Sequence, residues 1–271
     1  MNSTAPIIIS RSHTLHPLNF DFRLHTHTDM LEILIFISGD SEFRVEGNVY
    51  PLHPYDTVVV ASNEMHRVFH HSDTPYERIV INLPDSFFVT NSCEEYSDLF
   101  FGRKPGDMNL IPYEITKNTG YSDCIHRLLK YRESGESPIL VKSILIELLH
   151  LLNKSRKDIH WERSYGNHGN KHIREVISYI NDNLTENINL DTISEKFFIN
   201  KNYLCRAFKR HTGYTLNKYI THKRILYVRE LCARNMSLTQ ASLEAGFGDY
   251  SNFYKMYVKE TGHAPSKDLR G

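Results

Sequence analysis

The chain has 271 residues and a mass of 31.7 kDa, room for two ordinary domains. A content of 40% hydrophobic and 24% charged residues excludes collagen-like, disordered and membrane-spanning classes. Formal charge sums to zero unevenly: from Lys171 onward sixteen Lys and Arg face ten Asp and Glu, and before it sixteen face twenty-two. The two halves are therefore expected to have different partners. Cys93, Cys124, Cys205 and Cys232 form no CxxC pair and read as reduced thiols rather than a disulfide framework or a zinc site. The opening residues carry no basic stretch, so a cytoplasmic location without a membrane anchor is expected.

In chain order, residues 1–84 read as strands. Glu32-Ile33-Leu34-Ile35-Phe36-Ile37 is stopped by Ser38-Gly39-Asp40. Phe43-Arg44-Val45 and Val49-Tyr50 flank a Glu46-Gly47-Asn48 turn, and further runs follow Pro54 and Pro75. Short strands so spaced predict a small sandwich or barrel. Beyond Pro84, residues 121–134 and 138–157 have helical spacing, and Val141, Leu145, Leu148 and Leu152 form a stripe widened by Ile144, Leu149 and Leu151. The stripe must be buried, on its own barrel or on a twin. The second is preferred, so 85–157 is expected to be a helical dimerisation segment of a homodimer. Residues 158–170 read as a polar linker and 171–271 as an all-α domain.

The helical domain repeats itself. Leu204-x3-Phe208-x3-Thr212-Gly213 returns 49 residues later as Phe253-x3-Tyr257-x3-Thr261-Gly262, and each copy follows a short amphipathic helix opened by Leu190 or Leu238. A short helix, a turn and a second helix make a helix-turn-helix unit. Lys196 to Arg229 holds nine basic residues and no acidic one, which points to double-stranded DNA. A helix expected from Thr215 to Arg234 would be ~30 Å long, close to the ~34 Å between major grooves on one face of DNA.

Residues 177–270 resemble the AraC/XylS-type transcription-factor domain. The resemblance is carried by Tyr203-Leu204-x3-Phe208-Lys209-x2-Thr212-Gly213, Arg224-Ile225, Ala245-Gly246-Phe247-x-Asp249-x-Ser251-x-Phe253 and Gly262-x2-Pro265. Departures are Ser194 and Ser242 where Ala is usual, Phe198 where the first turn usually has Gly, and Met256-Tyr257-Val258. The resemblance implies base-facing positions at Asn202, Cys205 and Arg206 in the first unit and at Tyr250, Ser251, Tyr254 and Lys255 in the second. Arg suits guanine, Asn adenine, and Cys or Tyr a thymine methyl. Lys201, Lys209, Arg210 and Lys259 read as phosphate contacts.

His25-Thr26-His27 on a strand puts both imidazoles on one face. With Glu32 and Gly39 it spells His-x-His-x4-Glu-x6-Gly, which resembles the first motif of the cupin barrel. Pro54-x-Asp56 and His66 stand where the second would lie, without the usual Gly after Pro54 or Asn after His66. The resemblance implies a cupin-like effector domain in which His25, His27, Glu32 and His66 either contact a sugar or similar small molecule or ligate a divalent metal. A bare structural role is the third reading. Sugar contact is preferred, so no metal or other cofactor is expected.

Cupins also include metal-dependent enzymes, but that alternative leaves two DNA-reading units without a purpose, and no nucleophile elbow, P-loop or zincin motif occurs. The expected protein is a one-component transcriptional regulator, not an enzyme. Its order is a cupin-like barrel (1–84), a helical dimerisation segment (85–157), a linker (158–170) and a double helix-turn-helix domain (171–271).

Overall fold

Alternating and β-branched runs become β1 Ile8–Thr14, β2 Met30–Ser38, β3 Ser41–Val45, β4 Asn48–Pro51, β5 Thr57–Val60, β6 His66–His70, β7 Tyr76–Pro84 and β8 Leu110–Ile111. The computed structural model describes residues 6–20, 22, 24–157 and 170–269, and the chain divides into two units, Met1–His168 and Gly169–Gly271. In the first unit β1-β7-β2-β5-β8 form one antiparallel sheet and β4-β3-β6 a second. Glu46 and Gly47, at φ +47° and +79°, form the two-residue turn between β3 and β4.

Strand β2 serves two cores because its side chains alternate. Leu34 and Phe36 join Phe43, Val45, Tyr50, Val68 and Tyr76 between the sheets. Leu31, Ile33 and Ile35 point the other way, onto helices. These are α1 Phe87–Thr90, α2 Asp98–Phe101, α3 Tyr113–Thr116, α4 Tyr121–Glu133 and α5 Pro138–Lys157.

Two expectations change here. The sheet continues past residue 84, because β8 pairs with β5, and strands and helices share one core; no separate helical segment begins at 85. The expected dimer seam is internal: Leu145, Leu148 and Leu152 are fully buried with Ile33, Ile81 and Leu128, and Val141 packs at the margin. Seam spacing reports that a stripe is covered, not by which chain.

A buried ion pair fastens the loop before β8. Arg103 donates to both oxygens of Glu64 at 2.6 Å, and Glu64 also accepts from the backbone N–H groups of Ala61 and Gly106.

The second unit contains α6 Lys171–Asp182, α7 Leu190–Phe197, α8 Lys201–Thr212, α9 Leu216–Ala233, α10 Leu238–Glu244, α11 Tyr250–Thr261 and α12 Pro265–Asp268. Side-chain caps fix the starts of six of them: Asn170, Asn189, Asn200, Thr215, Ser237 and Asp249 each accept from backbone N–H groups of the first turn. The expected linker lies outside the described residues except for Asn170.

The departures from the family pattern are absorbed locally. Phe198 takes the left-handed turn at φ +53° with its ring 95% exposed, while Gly246 takes the second turn at φ +84°. A Cβ on Gly246 would lie 2.7 Å from the Thr185 carbonyl oxygen. Ser194 and Ser242 bond the Ile199 and Thr239 carbonyls, so each hydroxyl is satisfied. Among the described residues no helix is long and apolar enough to cross a membrane.

Candidate functional site

In the second unit, α7–α8 and α10–α11 form two helix-turn-helix pairs joined by α9. Its 18 residues give ~27 Å, a little short of expectation because Thr215 and Arg234 are its caps. On α8 the buried side carries Leu204, Ala207 and Phe208, which leaves Lys201, Asn202, Cys205, Arg206, Lys209 and Arg210 exposed together. On α11 Phe253 and Tyr257 are buried, and Ser251, Tyr254, Lys255 and Lys259 are exposed. Tyr250 differs: it is half-buried, with its ring 5.8 Å from Phe253.

The basic run is only partly free for DNA. Arg224 donates to the Leu184 and Glu186 carbonyls, and Arg229 donates to the Tyr257 hydroxyl and meets Asp268. Lys201 is paired with Asp191 at 2.7 Å, and Lys218 lies 3.7 Å from Glu260. Arg224 and Arg229 are thus structural clamps, which spacing alone could not distinguish from phosphate contacts.

In the first unit His25, His27, Glu32 and His66 converge, with one ligand atom from each lying within 4.8 Å of all the others. His25 is exposed, His27 partly so, and Glu32 and His66 are buried, so the cluster leads from surface to interior. The segment before β2 delivers His25 and His27. Its backbone bridges His25 to His66 by two hydrogen bonds of 3.0 Å. Glu32 reaches the cluster from the inner face of β2.

Hydrogen bonds fix the protons. His66 Nδ1 lies 2.8 Å from the Glu64 carbonyl, which can only accept, so Nδ1 carries the proton and Nε2 presents a lone pair. That buried Nε2 has no hydrogen-bond partner. His27 Nε2 donates to Glu32 at 2.9 Å. Burial pushes the Glu32 carboxyl up, but the His27 hydrogen bond and the charges of His66, His27 and His25 outweigh it and hold it at about 2. Burial pushes the His66 imidazole down to about 4 against the pull of Glu32. Glu64, whose carbonyl orients His66, has no sequence signal to announce it.

A polar cluster of three imidazoles and a carboxylate inside a double-sheet barrel, on a chain that also carries two helix-turn-helix pairs, is the make-up of a ligand-responsive transcriptional regulator. Comparison with known proteins agrees. Residues 193–271 match the family model of a helix-turn-helix domain, and residues 12–82 that of a cupin domain. The transcriptional activator RhaS of Yersinia pestis bv. Antiqua (strain Angola) is 22% identical over 253 residues, covering 90% of this chain and 88% of the relative. RhaS of Escherichia coli O139:H28 is 22% identical over 258 residues, covering 92% and 88%. The solved structure of ToxT from Vibrio cholerae aligns over 97% of both chains at 15% identity and a TM-score of 0.39. The chain therefore carries a cupin domain followed by a helix-turn-helix domain of AraC type and is homologous to the RhaS activators over most of its length.

Proposed function

We propose that this regulator acts in the cytoplasm as a homodimer. It reads double-stranded DNA through Asn202, Cys205 and Arg206 of α8 and through Tyr250, Ser251, Tyr254 and Lys255 of α11. Lys201, Lys209, Arg210 and Lys259 hold phosphates. The effector is a small hydroxylated metabolite of the sugar class, bound in the barrel at His25, His27, Glu32 and His66. The relatives named as activators favour activation as its mode, and the role is regulatory rather than enzymatic. The observation that carries the reading is the repeated pair of helices, each with a capped start and an exposed polar face. Footprinting on genomic fragments tests it: two protected major-groove patches about one turn apart for each subunit support it, and a single patch per subunit overturns it.

A second reading of the cluster is favoured by His66 Nε2. The lone pair is buried, unpartnered and aimed by Glu64, and beside it lies a carboxylate held ionised. Three imidazoles and one carboxylate suit a divalent first-row transition metal. Bonds of about 2.1 Å would place these donors roughly 3–4 Å apart, a modest contraction of the observed cluster. His25, His27, Glu32 and His66 would hold the ion, and His27 would release the proton it shares with Glu32. A bound ion would supply a Lewis-acidic point for oxygen atoms of an effector. Stoichiometric metal in untagged protein, lost in His27→Ala, selects this reading. Metal-free protein whose response to effector weakens in His27→Ala selects direct hydrogen bonding.

A further inference from the structure

Inside the barrel a second polar corner lies away from the histidine cluster. His66 and His70 share the inner face of β6 but are four residues, about 13 Å of strand, apart. His70 is 8% exposed; its Nδ1 lies 2.8 Å from Ser41 Oγ, and its Nε2 is buried with no hydrogen-bond partner. Its ring packs at 4.7 Å from Phe22 and 4.6 Å from Tyr76. The guanidinium of Arg78 lies over the same two rings, 4.6 Å from Tyr76 and 5.6 Å from Phe22, with one donor on Thr14 Oγ1. Among the described residues no carboxylate pairs with Arg78.

A partly buried guanidinium supported by two aromatic faces and one hydroxyl keeps most of its donors unused. When the Ser41 hydroxyl donates to Nδ1, His70 Nε2 becomes a further donor beside it. Burial, reinforced by Arg78 and Arg67, keeps His70 neutral, so guanidinium rather than imidazolium supplies the charge of this corner. A fork of N–H groups in apolar surroundings, without a counter-ion among the described residues, is complementary to a planar oxyanion.

We infer that Arg78 and His70 form a carboxylate-binding subsite inside the barrel, so that the ligand of this domain is a carboxylic acid, such as an acidic sugar or another hydroxy acid, rather than a neutral sugar. The inference rests on and deepens the effector reading, but it stands on residues outside the histidine cluster.

The test uses the full chain labelled with nitrogen-15 arginine, with the Arg78 Nε signal assigned by its loss in Arg78→Lys. Acetate, glycolate and D-galacturonate are titrated as sodium salts against sodium chloride at equal ionic strength, with D-galactose as the neutral control. A saturable shift of Arg78 with carboxylates alone is expected. Arg78→Met should weaken carboxylate binding about 30-fold or more, and Arg78→Lys should restore part of it. Arg78→Lys also keeps the test informative if the Met variant fails to fold. An Arg78 signal unmoved by all three acids, or moved equally by galactose, overturns the inference. If a carboxylate binds Arg78 but leaves DNA affinity unchanged, the subsite stands and the effector reading fails. If a neutral sugar alters DNA affinity equally in the parent and Arg78→Met, the effector reading stands and the carboxylate inference falls.

Discussion

Replacing Leu145 and Leu148 together by glutamate should unfold the first unit rather than release folded monomers. Both side chains are fully buried in the core shared by β2, β7, α4 and α5. Truncating one such leucine costs about 2–5 kcal/mol, and a buried carboxylate without a partner costs more. The two positions are one helical turn apart and share neighbours, so their effects do not simply add. Even so, two losses of that size reach the about 5–15 kcal/mol that holds an ordinary domain together. Circular dichroism and sedimentation velocity on the same samples provide the assay, with Ile139→Glu and Leu140→Glu as controls, since these side chains are 69% and 43% exposed. The controls should change stability by about 0.5 kcal/mol or less. A compact monomer with native dichroism from Leu145→Glu/Leu148→Glu would refute the internal packing and restore the seam.

Arg206→Ala should lose about 1–3 kcal/mol on the cognate site in gel-shift titrations and relax preference at one base pair, whereas Lys209→Ala should weaken cognate and random DNA alike and flatten the salt slope by about one. Gly246→Ala should lower the midpoint of thermal unfolding, because its φ of +84° disfavours a side chain and the new Cβ would meet the Thr185 carbonyl at 2.7 Å; an unchanged midpoint contradicts the tight turn. Arg103→Ala leaves Glu64 charged and buried and should cost about 3–5 kcal/mol in urea denaturation; a loss below about 1 kcal/mol would show that water reaches the site. In chelator-treated protein, stability should fall from pH 6.5 towards about 4, because unfolded His66 takes up a proton that the native state refuses. It should fall again from 4.5 towards about 2, as unfolded Glu32 is protonated and native Glu32 is not. Urea midpoints across pH measure both windows, and His66→Gln should flatten the first.

Local features were legible wherever short-range chemistry decides them. The Glu46-Gly47 turn, the run that became β2 and the capped helices around Asn200, Thr215 and Asp249 can each be read from a few adjacent residues. What escaped depends on chain separation. Strand β8 is two residues long and joins the sheet only because β5 offers an edge. Arg103 and Glu64 are 39 residues apart, and no spacing joins them. Arg224 sits in a basic run that reads as a phosphate-facing surface, yet it serves two carbonyls 40 and 38 residues upstream.

The histidine cluster shows the same divide in its chemistry. Alternation places His25 and His27 on one face, but Glu32 lies five residues on, beyond a bend at Asp29 (φ +58°), and only the cupin-like spacing announces it; the fold brings it to the two imidazoles. The choice between a hydrogen-bonding site and a metal site could not be read from either, because it turns on where protons lie. Glu64 supplies a carbonyl two residues before His66, and this places the proton on Nδ1 and leaves Nε2 as an acceptor. His27 donates to Glu32, and that bond helps keep the carboxylate ionised despite burial. A neutral sugar hydroxyl could satisfy His66 Nε2 by donating to it, but it would bring no positive charge to the anionic Glu32. A cation satisfies both at once. The same reasoning at the other end of β6 assigns the opposite sign: there the unmatched charge is Arg78, and an anion completes it. A ligand carrying oxygen donors at one end and a carboxylate at the other would meet both demands along a single strand.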